Sequence, residues 1–133
     1  MMRAMGACAV VLSLTGPAWA AGHALECPTT APADWGAARG ALNAVQVLSA
    51  KRGEVIDEKA PPDLVPDEQR TQAGVLHSVW KMNADGPDWL FQVWCHYAGT
   101  PRILKLDAPA VKRCEYTTSA AHPDRPPQQL VCD

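Results

Sequence analysis

The sequence predicts a mainly β protein: an antiparallel β-meander sheet or partly open barrel of about six strands, with little helix. Three observations predict it. Short runs rich in aromatic and β-branched residues recur through the second half of the chain. Clusters of Gly, Pro, Asn and Asp punctuate them, as turns between strands require. Four well-separated cysteines follow the first 20 residues, as two staples in a small β domain would need. The 133 residues are 47% hydrophobic and 20% charged, too apolar for disorder and suited in length to one domain. Twelve basic and 14 acidic side chains give a net charge of −2, which excludes a bulk polycation for nucleic acid.

Residues 1–20 read as a secretory signal. Arg3 is the only charge before Glu26, an apolar run follows it, and Gly16-Pro17 breaks that run before Ala18-Trp19-Ala20. The run is about half the ~20 residues that a membrane-spanning helix needs. Cleavage after Ala20 is expected, leaving residues 21–133 as a single β-rich domain delivered to the periplasm, with no further membrane insertion.

Of the five cysteines, Cys8 departs with the signal, and Cys27, Cys95, Cys114 and Cys132 remain. The intervals between them are too wide for the close ligand pairs of a zinc site or for a C-x-x-C redox pair. Two disulfides are expected. Three pairings are allowed, and Cys114–Cys132 with Cys27–Cys95 is favoured. The first would join neighbouring C-terminal strands and the second would tie the N-terminus to a central strand.

The mature chain reads in order as follows. Residues 28–40 are rich in Pro, Ala and Gly and irregular; Asp34 could cap a short helix, but Gly36 and Gly40 weaken it. A strand over 43–50 carries Val45 and Val47. Residues 51–73 form a polar connection broken by Pro61, Pro62 and Pro66, and within it residues 54–68 hold six acids (Glu54, Asp57, Glu58, Asp63, Asp67, Glu68) against one Lys59. A loop above about 15 residues in a compact domain is usually functional or disordered. Strands follow over 75–82 and 89–97, joined by a turn at 83–88; pairing about that turn sets His77 opposite Trp94. On 89–97, Trp89, Phe91, Val93, Cys95 and Tyr97 form an apolar face, and Leu90, Gln92, Trp94 and His96 a mixed one, as a central strand would show. Trp80 and Trp89 are expected in the core and Trp94, sharing a face with Gln92 and His96, to be partly exposed. Strands over 102–106, 111–117 and 129–132 complete the pattern.

Signals for catalysis are weak. His23, His77, His96 and His122 show no ligand spacing, so no metal is expected. There is no G-x-S-x-G, and Ser49, Ser78 and Ser119 have no local base. No phosphate-cradling glycine motif is present. No catalytic residues, no cofactor and no enzymatic activity are expected. The acids of 54–68 contrast with Arg102, Lys105, Lys112 and Arg113. Asp57, Glu58 and Asp63 are therefore candidates to steer a basic protein partner, with Trp94 as an aromatic anchor.

A pattern through most of the mature chain carries a resemblance. It runs from Cys27-Pro28 through 45–48, Pro61-Pro62 and Leu64-Val65-Pro66-Asp67. It continues with Trp80, Trp89-Leu90, Cys95-His96-Tyr97-Ala98-Gly99-Thr100, Leu104, Cys114 and Cys132. In these residues the chain resembles an uncharacterised family of small exported, disulfide-containing proteins of Gram-negative bacteria, some encoded near type VI secretion genes. The stretch Gln92-Val93-Trp94 is longer than that family's usual approach to the cysteine. The resemblance implies export, disulfides and a β fold, and brings no catalytic residues. Through the gene neighbourhood it implies a periplasmic binding protein, an immunity protein or inhibitor that blocks a cell-envelope-acting toxin or hydrolase by occlusion. The alternative is a structural or accessory envelope protein without inhibitory activity.

Overall fold

The computed structural model describes residues 24–36, 39–82, 88–108 and 111–133; the expected signal segment lies outside them. Eight strands occur among the described residues: β1 (Leu25–Glu26), β2 (Leu42–Lys51), β3 (Glu68–Gln72), β4 (Val75–Lys81), β5 (Trp89–Tyr97), β6 (Ile103–Asp107), β7 (Arg113–Ser119) and β8 (Gln129–Cys132). They form two antiparallel sheets, in the orders β1-β8-β7-β4-β3 and β2-β5-β6, not closed into a barrel. The only helical piece described is the 3-10 turn Ala33–Trp35, which ends at Gly36 with φ 89°. All six expected strands are present, and β1 and β3 add to them.

The two sheets share one core. The three-stranded sheet contributes Leu42, Val47, Val93, Cys95 and Tyr97, and the five-stranded sheet contributes Trp80, Cys114, Leu130 and Cys132. The period-2 alternation of β5 sends Val93, Cys95 and Tyr97 into that core, which is the apolar face expected from the sequence.

Two expectations need correction. The connection 51–73 is not wholly loop, because its last residues form β3. All five residues of Glu68-Gln69-Arg70-Thr71-Gln72 are exposed, so this edge strand shows no apolar alternation to read. It pairs with β4 through a tight turn in which Ala73 and Gly74 have φ 49° and 77°. Two successive positive φ values are what a two-residue hairpin needs, and Ala in the place usual for Asn hides the signal. The second correction concerns β4 and β5, which do not form a hairpin. β4 pairs with β3 and β7, whereas β5 pairs with β2 and β6. His77 therefore lies opposite Arg70 and Thr117, not Trp94. The chain changes sheets between β4 and β5, and each strand buries an apolar face that one flat meander would leave wet.

The disulfides join Cys27 to Cys95 and Cys114 to Cys132. Arg113 and Asp133 exchange both backbone hydrogen bonds, so the next pair in register, Cys114 and Cys132, is of the closely spaced kind, with Cα atoms 4.0 Å apart. The other bridge ties the end of β1 to the centre of β5 and so fastens one sheet to the other. In the chain-entropy picture the short closure contributes about 3 kcal/mol and the long one about 4 kcal/mol.

Candidate partner-binding surface

The 52–67 connection is the part of the chain in which the sequence placed its partner-binding acids. Its Pro residues and charges keep it out of regular pairing, yet it is fastened along its length. Arg52 N–H donates to Asp88 O (2.6 Å) at the head of β5, and Glu54 N–H donates to Lys51 O (3.0 Å). The Glu54 carboxylate accepts in return from Lys51 N–H at 3.1 Å. Asp57 closes its own turn by accepting from Lys59 N–H at 2.9 Å. Glu58 forms an ion pair with Lys105 of β6. Gln46 of β2 donates its amide to both oxygens of Asp63, at 3.0 and 3.1 Å. Leu64 N–H then donates to Val47 O (2.8 Å), and Trp80 Nε1–H donates to Leu64 O (2.9 Å).

The expected site residues are thus split. Glu58 and Asp63 hold the connection against the three-stranded sheet, while Asp57 stays at the surface. Trp94 is corrected outright: its ring is buried, with 1% exposure. It sits on the mixed face of β5, where Nε1–H donates to Gln92 Oε1 at 2.9 Å and Lys105 Nζ lies 4.7 Å from the ring centroid. Lys105 is in turn held by Glu58, so the acidic connection reaches the residues that cover the ring. Trp80 is in the core as expected, but Trp89 is 36% exposed. Parity along β5 failed to sort these rings because both faces of its centre are covered and its first residue lies at the sheet end.

The exposed apolar residues were missed by the sequence reading. Val55 is 93% exposed and Val65 84%. Val55 follows the bonded Lys51–Glu54 turn, and Lys51 Nζ stands 5.8 Å from the Trp89 ring centroid. Glu54 and Asp88 are exposed at this end of the sheet, and Asp57 is exposed two residues beyond Val55. The available signal was a β-branched pair, Val55-Ile56, inside a segment dense in charges and prolines; Ile56 is half-buried and Val55 is not.

His77 and His96 lie in different sheets, on β4 and β5. His77 Nδ1 is 2.8 Å from Glu115 Oε1, which also takes Arg70 at 3.3 Å, while Arg113 reaches the other carboxylate oxygen at 3.2 Å. Burial alone would raise the Glu115 pKa, but the His77 hydrogen bond and the two guanidinium groups outweigh it and hold the carboxyl below its usual value. His96 bonds to Gln46. Among the described residues, no three His, Cys, Asp or Glu side chains converge as metal ligands would, and no helix is long and apolar enough to cross a membrane. Comparison with family models, curated proteins and solved structures found no match.

Proposed function

We propose that this is an exported binding protein that inhibits a cell-envelope-acting hydrolase or toxin by occlusion, seating the 52–57 turn in its partner's cleft. The observation that carries the reading is Val55, 93% exposed on a segment bonded to the sheet on both sides. A β-branched side chain held in water by an ordered scaffold loses little further freedom on docking, so its burial goes to affinity. Trp89, whose ring Lys51 of the same turn approaches, supplies aromatic area, and the exposed carboxylates Glu54, Asp57 and Asp88 suit a basic cleft mouth. The two disulfides fit an oxidising compartment such as the periplasm.

The test adds the purified, oxidised protein to envelope extracts and measures peptidoglycan-hydrolase activity by dye release. The wild type lowers that activity, and Val55→Asp, which changes one exposed side chain, does not. Asp57→Lys slows association and flattens its salt dependence, because a rim charge acts mainly on the on-rate. Equal inhibition by wild type and Val55→Asp, or none by either, would sink the occlusion reading.

A further inference from the structure

At the opposite end of β5 from Trp89, about 23 Å along the strand, an open basin of about 510 Å³ lies on the outer side of the three-stranded sheet. Asn43, Gln46, Glu58, His96 and Thr100 supply its polar side chains. Its volume falls within the range of about 300–1,000 Å³ usual for small-ligand sites. Two features of the backbone build it. The pairing of β2 with β5 slips between Leu42 and Ala44, so Asn43 is the extra residue of a β-bulge facing His96 and Tyr97. Bulges re-aim side chains and gather beside functional sites. The bulge is held from the loop that leads into β8, where Gln128 donates its amide to Asn43 O at 2.9 Å. Next to it, Gly40 lies so close to the 98–100 turn that a Cβ would stand 2.0 Å from Ala98 O, so only glycine lets that turn close over the basin.

The hydrogen-bond chain through the basin has a fixed direction. Gln46 uses its amide N–H groups on the Asp63 carboxylate, so its Oε1 can only accept. The His96 ring must therefore donate from Nε2, 2.5 Å away, which leaves Nδ1 as an acceptor. Burial lowers the His96 pKa against the opposing pull of Asp63 and Glu58, which keeps the ring neutral at neutral pH. Glu58, the one charged lining residue, is already paired with Lys105.

We infer that this basin binds a neutral saccharide. Adjacent hydroxyl groups each donate and accept: the Asn43 amide offers both a donor and an acceptor, the Thr100 hydroxyl accepts from Arg102 N–H and keeps its proton to donate, and Gln46 Oε1, His96 Nδ1 and the paired Glu58 carboxylate offer acceptors. A phosphate or carboxylate ligand would find no unpaired cation in the lining, and an apolar ligand would desolvate five polar side chains. An extended peptide entering the basin along β2 is disfavoured because it would need that strand's edge to be free. The β2 edge at Val47 and Leu48 is taken by Asp63 and Leu64. This inference is independent of the occlusion reading.

The experiment is a heteronuclear NMR titration of the ¹⁵N-labelled, disulfide-intact protein. The probes are maltotriose and tri-N-acetylchitotriose, with inorganic phosphate and trialanine as controls. At least one saccharide should shift the amides of 43–46 and 96–100 saturably, with a millimolar or tighter Kd, and the controls should not. Asn43→Ala keeps the backbone carbonyl that Gln128 holds, and should raise Kd about tenfold, the value of one lost ligand hydrogen bond. His96→Gln, which cannot accept from the same position, should weaken binding as well while the rest of the spectrum stays native. No shift with either saccharide, equal shifts with phosphate or trialanine, or a Kd untouched by both substitutions would overturn the assignment.

Discussion

Replacing Trp94 with Ala distinguishes a structural ring from a surface anchor. The ring is 1% exposed, so truncation removes almost all of its buried area. An indole buries up to about 250 Å², and at ~25 cal/mol per Å² its removal has an upper bound near 6 kcal/mol. Large-to-small changes at such sites cost about 3–5 kcal/mol, because the neighbours collapse only in part. Two polar losses come with it: the Nε1 bond to Gln92 and the contact with Lys105. Gln92 is half-buried and can turn to water, and the cation contact is worth about 0.5–1 kcal/mol. The expected loss is therefore about 4 kcal/mol, a large part of the ~5–15 kcal/mol a small domain possesses. Urea unfolding without reductant, followed by circular dichroism, measures it. Trp89→Ala is the control and should cost about 1 kcal/mol or less, since that ring is already partly in water. A Trp94→Ala loss below about 1 kcal/mol, or a larger loss for Trp89→Ala, would refute the assignment of Trp94 to the interior.

Other outcomes follow from the same contacts. Glu58→Lys should break the tie to Lys105 and expose 52–60 to limited proteolysis, while global stability falls by about 1 kcal/mol or less, as for an exposed pair. Replacing Cys27 and Cys95 together by Ser should cost more than replacing Cys114 and Cys132, about 4 against about 3 kcal/mol by urea unfolding, because the longer loop is released. Glu115 has a folded pKa held below its usual value, so its stabilisation is full above pH 4.5 and is lost as pH falls through the folded pKa. Glu115→Gln should therefore flatten the acid limb of the stability profile below pH 4.5, and an unchanged slope there would count against the Glu115 cluster.

What the sequence reveals depends on how each residue is covered. The apolar face of β5 was readable because it meets the other sheet, and alternation reports that contact directly. The cysteine pairing was readable because Cys114 and Cys132 flank a polar loop short enough to close as a hairpin. The position of Trp94 was not readable. Its face of β5 is covered by a Pro-rich acidic connection, and periodicity says nothing about a cover that has no periodicity of its own. β3 escaped for the related reason that an edge strand exposed at every residue has no pattern to match. The roles of Glu58 and Asp63 were hidden too, since a carboxylate bonded to a distant strand looks like a solvated one until Lys105 and Gln46 are placed beside it.

That fastening bears on how the connection could act. Had 52–67 been a free coil, docking it would cost about 1–2 kcal/mol of backbone entropy for each residue ordered, and a dozen residues would cancel the gain from a modest interface. Here the order is already present, set by Asp88, Lys105, Gln46, Val47 and Trp80 on three strands and one turn. The acids divide between two tasks as a result. Glu58 and Asp63 have their charge spent within the molecule, and only Asp57, Glu54 and Asp88 remain to act outward. Charge reversal at Asp57 should therefore alter association without altering proteolysis of the connection, whereas Asp63→Lys should do the opposite. It removes both bonds from Gln46 and sets a cation beside the same amide. Measuring on-rate and cleavage on both variants separates steering from anchoring. If Asp57→Lys were to loosen the connection as much as Asp63→Lys, the division drawn here between surface and fastening carboxylates would be wrong.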